Sequence, residues 1–169
     1  GPAAAETRTL TIGISQFPAT FHPSIDSMMA KTYINAMTRR PLTVHGPDWK
    51  VRCMLCVALP TLENGGAVRE TLDPPGPRGT EGIAVTYTLP AGVTWGDGEP
   101  VTTDDVVFTW EVGRHPESGF TSGELFRRIR AIDVVDRRTF TLHLDRVEFE
   151  YNAMNDFHIL PEHLERAVF

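Results

Sequence analysis

The feature that most constrains this chain is a strict alternation of large apolar residues with smaller ones between positions 83 and 89. The large residues are Ile83, Val85, Tyr87 and Leu89, and those between them are Ala84, Thr86 and Thr88. Successive side chains of a β-strand point to opposite faces of its sheet. This period of two therefore predicts a strand with one buried face.

A turn and a helix start follow this strand. The turn, Trp95 to Gly98, ends on a glycine that tolerates positive φ. The hydroxyl of Thr102 can accept a hydrogen bond from the amide of Asp105, whose carboxylate can reach back to the amide of Thr102. This capping box predicts a helix and gives its acidic residues a structural role. The residues of this helix expected to be buried are Val106, Val107 and Trp110. Gly113 and Pro116 are expected to end it.

Two further elements are predicted before Pro41. Apolar residues alternate from Thr9 to Ile14, which predicts an opening strand. An amphipathic helix is expected next, capped by Asp26 or Ser24 and ended by Pro41. Its positions at helical spacing are Ile25, Met28, Met29, Thr32, Tyr33, Ala36 and Met37.

The rest of the pattern favours an α+β fold. Residues 73–82 are rich in proline and glycine, which predicts a surface loop at the tip of an insertion. Ile129 to Val135 and Thr139 to Leu144 predict a hairpin, and Pro161 predicts the start of a short last helix. Hairpins without regular βαβ units favour a mixed or antiparallel sheet with flanking helices over a doubly wound sheet.

Charge and hydropathy argue against nucleic-acid binding and against a membrane span. The net charge of −6 disfavours a nucleic-acid surface, because phosphates are neutralised by clustered basic residues. The basic cluster Arg127, Arg128 and Arg130 lies beside Glu124 and Asp133, as in a solvated face. No apolar run approaches the length that crosses a bilayer.

Cys53 and Cys56 are the only cysteines, and their CxxC spacing admits several interpretations. A redox dithiol lacks the usual context, in which the pair opens a helix after a strand. A zinc site would need two more ligands, and the histidines show no suitable spacing. A local disulfide is therefore favoured, with two buried free thiols as the alternative.

No motif supports an enzyme. Neither the nucleophile elbow GxSxG nor the phosphate-binding loop GxxxxGK[ST] occurs. The acidic pair Asp97 and Glu99 is explained by turn chemistry. We therefore expect no catalytic residue, no metal and no cofactor.

The segment from Leu89 to Val112, LPAGVTWGDGEPVTTDDVVFTWEV, resembles the most recognisable segment of the family-5 extracellular solute-binding proteins, the dipeptide, oligopeptide and nickel class. That segment reads roughly L-R-x-G-V-x-F-x-D-G-x-P-x-T-A-x-D-V-x-F-S. Trp95-Gly96 replaces its aromatic-His pair, and Thr103 replaces its alanine. The matching residues are Leu89, Gly92, Val93, Asp97, Gly98, Pro100, Thr102, Asp105, Val106 and Phe108.

Other segments agree in order with the same family: TLTIGI as its first strand, FHPSID, the hairpin IRAIDVVDRRTFTLHL, and ILPEHL. The resemblance implies the partial N-terminal lobe of a type II periplasmic binding protein. Residues 1–8 would be a tag remnant and the mature N-terminus, residues 9–45 the opening strand and helix of the first lobe, and residues 46–169 its extra subdomain. The second lobe would be absent.

The resemblance also implies a function and a location. The parent protein would be the substrate-binding component of an ABC importer, exported to the periplasm as a soluble or lipid-anchored protein, with its signal peptide removed. It would capture a peptide or similar small solute and deliver it to a membrane permease. In similar proteins four segments approach the ligand cleft, and the corresponding residues here are Phe17, Phe21, His22, Ser27, Met28, Thr32, Phe120, Ser122, Phe157 and His158.

Two alternatives remain open. The second-ranked hypothesis, after solute capture, is a stand-alone interaction or structural domain that keeps the fold without binding a ligand. A dithiol oxidoreductase using Cys53 and Cys56 ranks third. If the chain is a fragment, the edge of the strand from Thr9 to Ile14 and the apolar side of the following helix lack cover. We then expect dimerisation, strand exchange or local disorder centred on residues 9–40, with a compact core from Ile83 to Leu144.

Overall fold

The computed structural model describes residues 9–169. The expected tag remnant at residues 1–8 lies outside this range. In chain order the elements are α1 (Met29–Thr38), β1 (Thr43–His45), β2 (Val51–Cys53), β3 (Ala67–Gly76), β4 (Gly79–Thr88), α2 (Thr103–Arg114), α3 (Gly123–Arg128), β5 (Ile129–Val134), β6 (Thr139–Leu144) and α4 (Glu162–Glu165), followed by a 3-10 turn (Arg166–Val168).

The centre of the fold is a four-stranded antiparallel sheet in the order β3-β4-β6-β5. β4 pairs with β6 from Ile83 opposite Leu144 to Thr88 opposite Thr139. The predicted apolar face of β4 is completely buried, and Tyr87 stacks on Phe140 with ring centroids 5.9 Å apart. The predicted strand, hairpin and α+β class are therefore confirmed.

The predicted capping box begins α2. The side chain of Thr102 accepts from the helix amides, and the amide of Thr102 donates to Asp105 Oδ2 over 2.9 Å. The helix buries Val106 fully, whereas Val107 and Trp110 are only half-buried. Gly98 has a φ of 97°, in agreement with its predicted position in the turn.

The segment before α4 is fastened to α2. The amide of Leu160 donates to Thr109 Oγ1 over 2.8 Å, and the amide of Glu162 donates to Asp105 Oδ1 over 2.9 Å. Asp105 is only 4% exposed. Its two carboxylate oxygens accept from Thr102 and from Glu162, so they link the cap of α2 to the start of α4. This contact fixes the residues just before Leu160 beside the core.

The sequence predicted a loop at residues 73–82, and this prediction is wrong. These residues form the end of a long hairpin, in which β3 and β4 are each 10 residues long and separated only by Pro77 and Arg78. β3 lies at the sheet edge, where proline is tolerated because no partner requires its missing amide.

The predictions for the N-terminal region are partly wrong. Residues 9–14 form no strand, because no other described residue pairs with them. α1 begins at Met29 rather than near Ile25, and neither Asp26 nor Ser24 caps it. Asp26 instead adopts a left-handed conformation with φ 58°, and the Ser24 carbonyl accepts from the amide of Thr121 over 2.9 Å.

Candidate functional site

Four segments, which come from three distant parts of the chain, meet around one cavity of about 410 Å³. They are the loop before α1, the first turn of α1, the loop between α2 and α3, and the segment before α4. The side chains around the cavity are mostly hydroxylic, with one lysine, one aspartate and one histidine. They belong to Pro23, Ser24, Ser27, Lys31, Thr32, Thr121, Ser122, Asp156 and His158.

The loop before α1 is held against the loop after α2. The amide and the hydroxyl of Thr121 both donate to the carbonyl oxygen of Ser24, over 2.9 and 3.2 Å. Ile25 forms an antiparallel bridge with Phe120. The ring of His22 packs against that of Phe120 in a tilted arrangement, with ring centroids 5.7 Å apart. These contacts bring Ser24 and Ser27 to the same cavity as Ser122.

Lys31 fixes the same loop from the side of α1. Its side chain is only 4% exposed, although lysine is rarely buried without partners. The ammonium donates to the carbonyl oxygen of His22 over 3.0 Å and also to the carbonyl oxygens of Ile25 and Asp26. Three carbonyl dipoles therefore replace the water that a buried ammonium loses.

His158 forms the opposite part of the wall. Burial lowers the pKa of its imidazole, the nearby positive charges of Arg39 and Lys31 lower it further, and Asp156 acts in the opposite direction. The ring is therefore neutral at neutral pH. Its Nδ1 atom and the Oγ atom of Ser24 are buried without a hydrogen-bond partner among residues 9–169. Because such atoms are rarely left unpaired, they are suited to bind a ligand or water in the cavity.

The structure brings four of the predicted ligand-binding residues to this cavity: Ser27, Thr32, Ser122 and His158. Two more, His22 and Phe120, pack against each other with their ring planes tilted by 55°, and Phe120 also packs on Phe126 with ring centroids 5.4 Å apart. The remaining predicted residues, Phe17, Phe21, Met28 and Phe157, do not line it.

These four residues have different environments. Phe17 is 87% exposed and Phe21 is 51% exposed. Met28 precedes α1 and is half-buried. Phe157 is completely buried and packs on Phe126 at 5.2 Å, so its side chain belongs to the core in this structure. A role for Phe17 and Phe21 in ligand binding stays a prediction.

Sequence reasoning missed Ser24, Lys31, Thr121 and Asp156 as members of the site. Ser24 was considered only as a helix cap, and a lysine within an amphipathic helix is ordinarily expected to face water. The resemblance pointed to the segments that meet at this cavity, and the neighbours of its predicted residues were the available signal. Which of those neighbours enter the cavity depends on the folding back of the loop.

A second feature adjoins α1 on another side. An apolar groove of about 660 Å³ lies between residues 12–16 and the helix. Its side chains include Ile12, Ile14, Met29, Tyr33 and Met37, all of them 40% exposed or more. Contiguous exposed apolar area of this kind is uncommon on the surface of a monomeric protein.

The cysteine pair and the possible metal ligands were the remaining candidates for chemistry. Cys53 and Cys56 are joined as a disulfide with their Cα atoms 5.2 Å apart. Among residues 9–169, no group of three or more acidic, cysteine or histidine side chains is arranged to hold a metal ion. Within the same range, no helix has the length and apolar composition of a membrane span.

Comparison with solved structures shows which fold this is. An oligopeptide-binding protein from Thermus thermophilus in complex with a pentapeptide matches 88% of this chain at a TM-score of 0.70 and 23% identity. The protein AppA from Bacillus subtilis in complex with a nonapeptide matches 90% of it at 0.69 and 23%. NikZ from Campylobacter jejuni in complex with Ni(L-His) matches 89% of it at 0.66 and 15%.

The matched region is a small part of each of these proteins. This chain covers 24% of the Thermus protein and 27% of both the Bacillus and the Campylobacter protein. It spans about a quarter of their length, and its fold corresponds to part of a lobe of a periplasmic binding protein. No curated protein matches the sequence.

The sequence itself gives the assignment. Residues 80–168 match the model of the bacterial extracellular solute-binding proteins, family 5, middle region. This range contains the capping box, the hairpin of β5 and β6, and the segment before α4. The chain therefore belongs to the family-5 bacterial extracellular solute-binding proteins.

Proposed function

We propose that this chain supplies part of the first lobe of the substrate-binding component of an ABC importer. The parent protein captures a peptide or similar small solute in the periplasm and releases it to a membrane permease. Residues 9–45 contribute the opening elements of the lobe, and residues 46–169 contribute its extra subdomain. A second lobe, outside this chain, closes over the solute.

The observation that carries the proposal is the convergence of four segments on the 410 Å³ cavity. Family members capture solutes, and this cavity combines hydroxyl groups with buried polar atoms that have no partner among residues 9–169. Ligand sites characteristically present a few positioned polar groups in a concave surface. The proposed chemistry is reversible binding, without a covalent step.

Native mass spectrometry of the complete protein tests the proposal. We expect the protein purified from its periplasm to carry a small solute that unfolding releases. The variant Ser122→Phe should lose it, because a phenyl ring at Ser122 fills the cavity. Glu117→Phe is the matched control, since Glu117 is exposed in the same loop and lies outside the cavity. A protein without any bound or exchangeable solute, or equal retention by both variants, would count against the proposed site.

The apolar groove beside α1 supports a second candidate, a stand-alone interaction domain. For either function, we propose that the exposed apolar side chains of the groove are buried when two copies of the 169-residue chain dimerise through it. Light scattering of the chain, with Met37→Glu as the disrupting variant, measures this association. A gene that continues for several hundred residues into a second lobe favours solute capture, whereas a strict monomer with an ordered N-terminal region favours the self-sufficient domain.

A further inference from the structure

The helix α1 starts at the wall of the cavity without a cap. Its N-cap residue, Met28, offers no side-chain hydrogen bond, and the first turn contains no acidic residue. Ser27, just before the cap, and Lys31, in the first turn, both line the cavity. Since the first amides of a helix carry a partial positive charge, this end of α1 favours an anionic group nearby.

Ser24 supplies an independent observation. It is 6% exposed, it lines the cavity, and its Oγ atom has no hydrogen-bond partner among residues 9–169. A buried hydroxyl without a partner costs stability unless a ligand or water satisfies it. A serine hydroxyl can donate to an anion, as can the hydroxyl of Ser122 across the cavity.

The charges around the cavity favour the same sign of ligand. The ammonium of Lys31 is buried in the wall, and the guanidinium of Arg39 is close enough to act on His158. Asp156 is the one carboxylate of the wall, and it is exposed to water. The Lys31 ammonium already donates to three carbonyls, so it contributes positive potential rather than a direct bond.

We propose that this cavity binds a carboxylate group of the solute, which accepts a hydrogen bond from Ser24 Oγ at the positive end of α1. The inference rests on the proposed function and names the chemical group that the first lobe recognises. The carboxylate belongs either to the C-terminus of a peptide or to a small organic acid. A cationic group is disfavoured because Lys31 already occupies the carbonyl oxygens of His22, Ile25 and Asp26.

The test is a nuclear magnetic resonance titration of the complete protein, with both lobes present, in which trialanine, trialanine amide and propionate are added and the amide signals of residues 9–169 are followed. We expect trialanine to shift the backbone amides of Ser24 and Ser122. Trialanine amide should bind about tenfold more weakly, because a hydrogen bond to a charged group is lost. Ser24→Ala should weaken the binding of trialanine by a similar factor and leave the affinity for trialanine amide unchanged. Ser15→Ala, at an exposed serine outside the cavity, should change the affinity for neither ligand.

Each outcome decides the inference. A much higher affinity for trialanine than for propionate identifies a peptide C-terminus as the ligand group. Equal affinities for the two identify a small carboxylic acid. Both results support a carboxylate site. Equal binding of trialanine and its amide at the cavity overturns the carboxylate and leaves solute capture intact. Binding that shifts only residues away from the cavity, or no binding of any probe, contradicts the inference and counts against the proposed site as well. The comparison of trialanine with its amide requires no variant, so a Ser24→Ala protein that fails to fold does not prevent the test.

Discussion

The four-stranded sheet and the N-terminal region both contain alternating apolar residues, but only the sheet buries them. In β4 every large residue from Ile83 to Tyr87 is completely buried and paired with β6. In residues 9–14 the same period of two occurs, yet Leu10 is 81% exposed and no described strand pairs with it. Alternation therefore predicts the faces of a strand but not the presence of its partner.

The two helices repeat this contrast. α2 has a complete capping box and buries Phe108, whereas α1 has no side-chain cap and leaves Met29, Tyr33 and Met37 about 60% exposed. The apolar side chains of the sheet and of α2 form a core that is buried by other residues of the same chain. The N-terminal region instead leaves its large apolar side chains exposed.

Truncating matched phenylalanines should give the largest difference between the two regions. Phe140→Ala removes a fully buried ring that packs on Tyr87, and we expect a loss of about 3–5 kcal/mol in the free energy of unfolding. Phe17→Ala removes a ring that is 87% exposed and should change the free energy by less than about 0.5 kcal/mol. Denaturant titration of both variants measures it. Equal losses would show that the N-terminal region is as well packed as the sheet.

Adding a methyl group to a glycine should give the next largest effect. A Cβ atom at Gly113 would lie 2.4 Å from the ring of Phe126, so Gly113→Ala overpacks the contact between α2 and α3. Overpacking costs about 1–3 kcal/mol, and the helix preference of alanine returns up to about 1 kcal/mol of it. Gly96→Ala is the control because no atom lies within 4 Å of its Cβ position. A Gly113→Ala protein as stable as the wild type by thermal denaturation would contradict this packing.

The caps of α1 and α2 should respond in opposite directions. Thr102→Ala removes the capping hydroxyl of α2 and should lower the free energy of unfolding by about 1 kcal/mol. Met28→Ser adds a hydroxyl at the uncapped start of α1 and should raise its helicity without lowering overall stability. Circular dichroism with denaturant titration measures both effects. Destabilisation by both variants would mean that Met28 is already optimal at this position.

Two histidines should give the smallest effects, with opposite pH dependence. Partial burial lowers the pKa of His143, but hydrogen bonds from its ring to Glu70 and Asp133 outweigh burial, and its pKa is raised above 6.5. Its contribution to stability is therefore present below pH 6.5 and lost as the pH rises through the folded pKa. Burial, aided by Arg39 and Lys31, lowers the pKa of His158, so its contribution is present above pH 6.5 and lost as the pH falls.

Proton titration of the two rings by nuclear magnetic resonance measures these pKa values directly. Replacing either histidine by glutamine should remove its own part of the pH dependence of unfolding and leave that of the other. His143 belongs to the sheet and His158 to the cavity, so the pair compares the two regions by a single kind of side chain. A His158 that titrates above 6.5 would contradict its buried position beside two cations.

The parts of the fold that the sequence predicted correctly are those with local signals. The capping box at Thr102 and Asp105 lies within four residues, and the hairpin of β5 and β6 needs only a short turn. β3 was missed because only Ala67 and Leu72 of its ten residues are buried, so no alternation appears. Its prolines also suggest a loop, although an edge strand tolerates them.

The candidate site depends on contacts between distant residues, and sequence predicted it only in part. The family resemblance pointed to the four segments, and Ser27, Thr32, Ser122 and His158 do meet. Lys31 could not be predicted, because its burial follows from three carbonyls of a loop that folds back on α1. Phe157, which the resemblance placed near the ligand, is completely buried in the core of this structure, and its role in binding stays a prediction. Sequence position therefore selected the segments, and tertiary packing selected the side chains.

Amide hydrogen exchange is the most direct test of the contrast between a sheet that is buried and paired within its own chain and an N-terminal region whose apolar side chains are exposed. Amides of β4 and β6 should exchange only through global unfolding, whereas those of residues 9–14 should exchange at nearly the rate of an unfolded chain. The amides around Lys31 should lie between these limits, since its ammonium fixes one side of the helix and the other side is exposed. Protection of residues 9–14 equal to that of β4 in the isolated monomer would contradict the account.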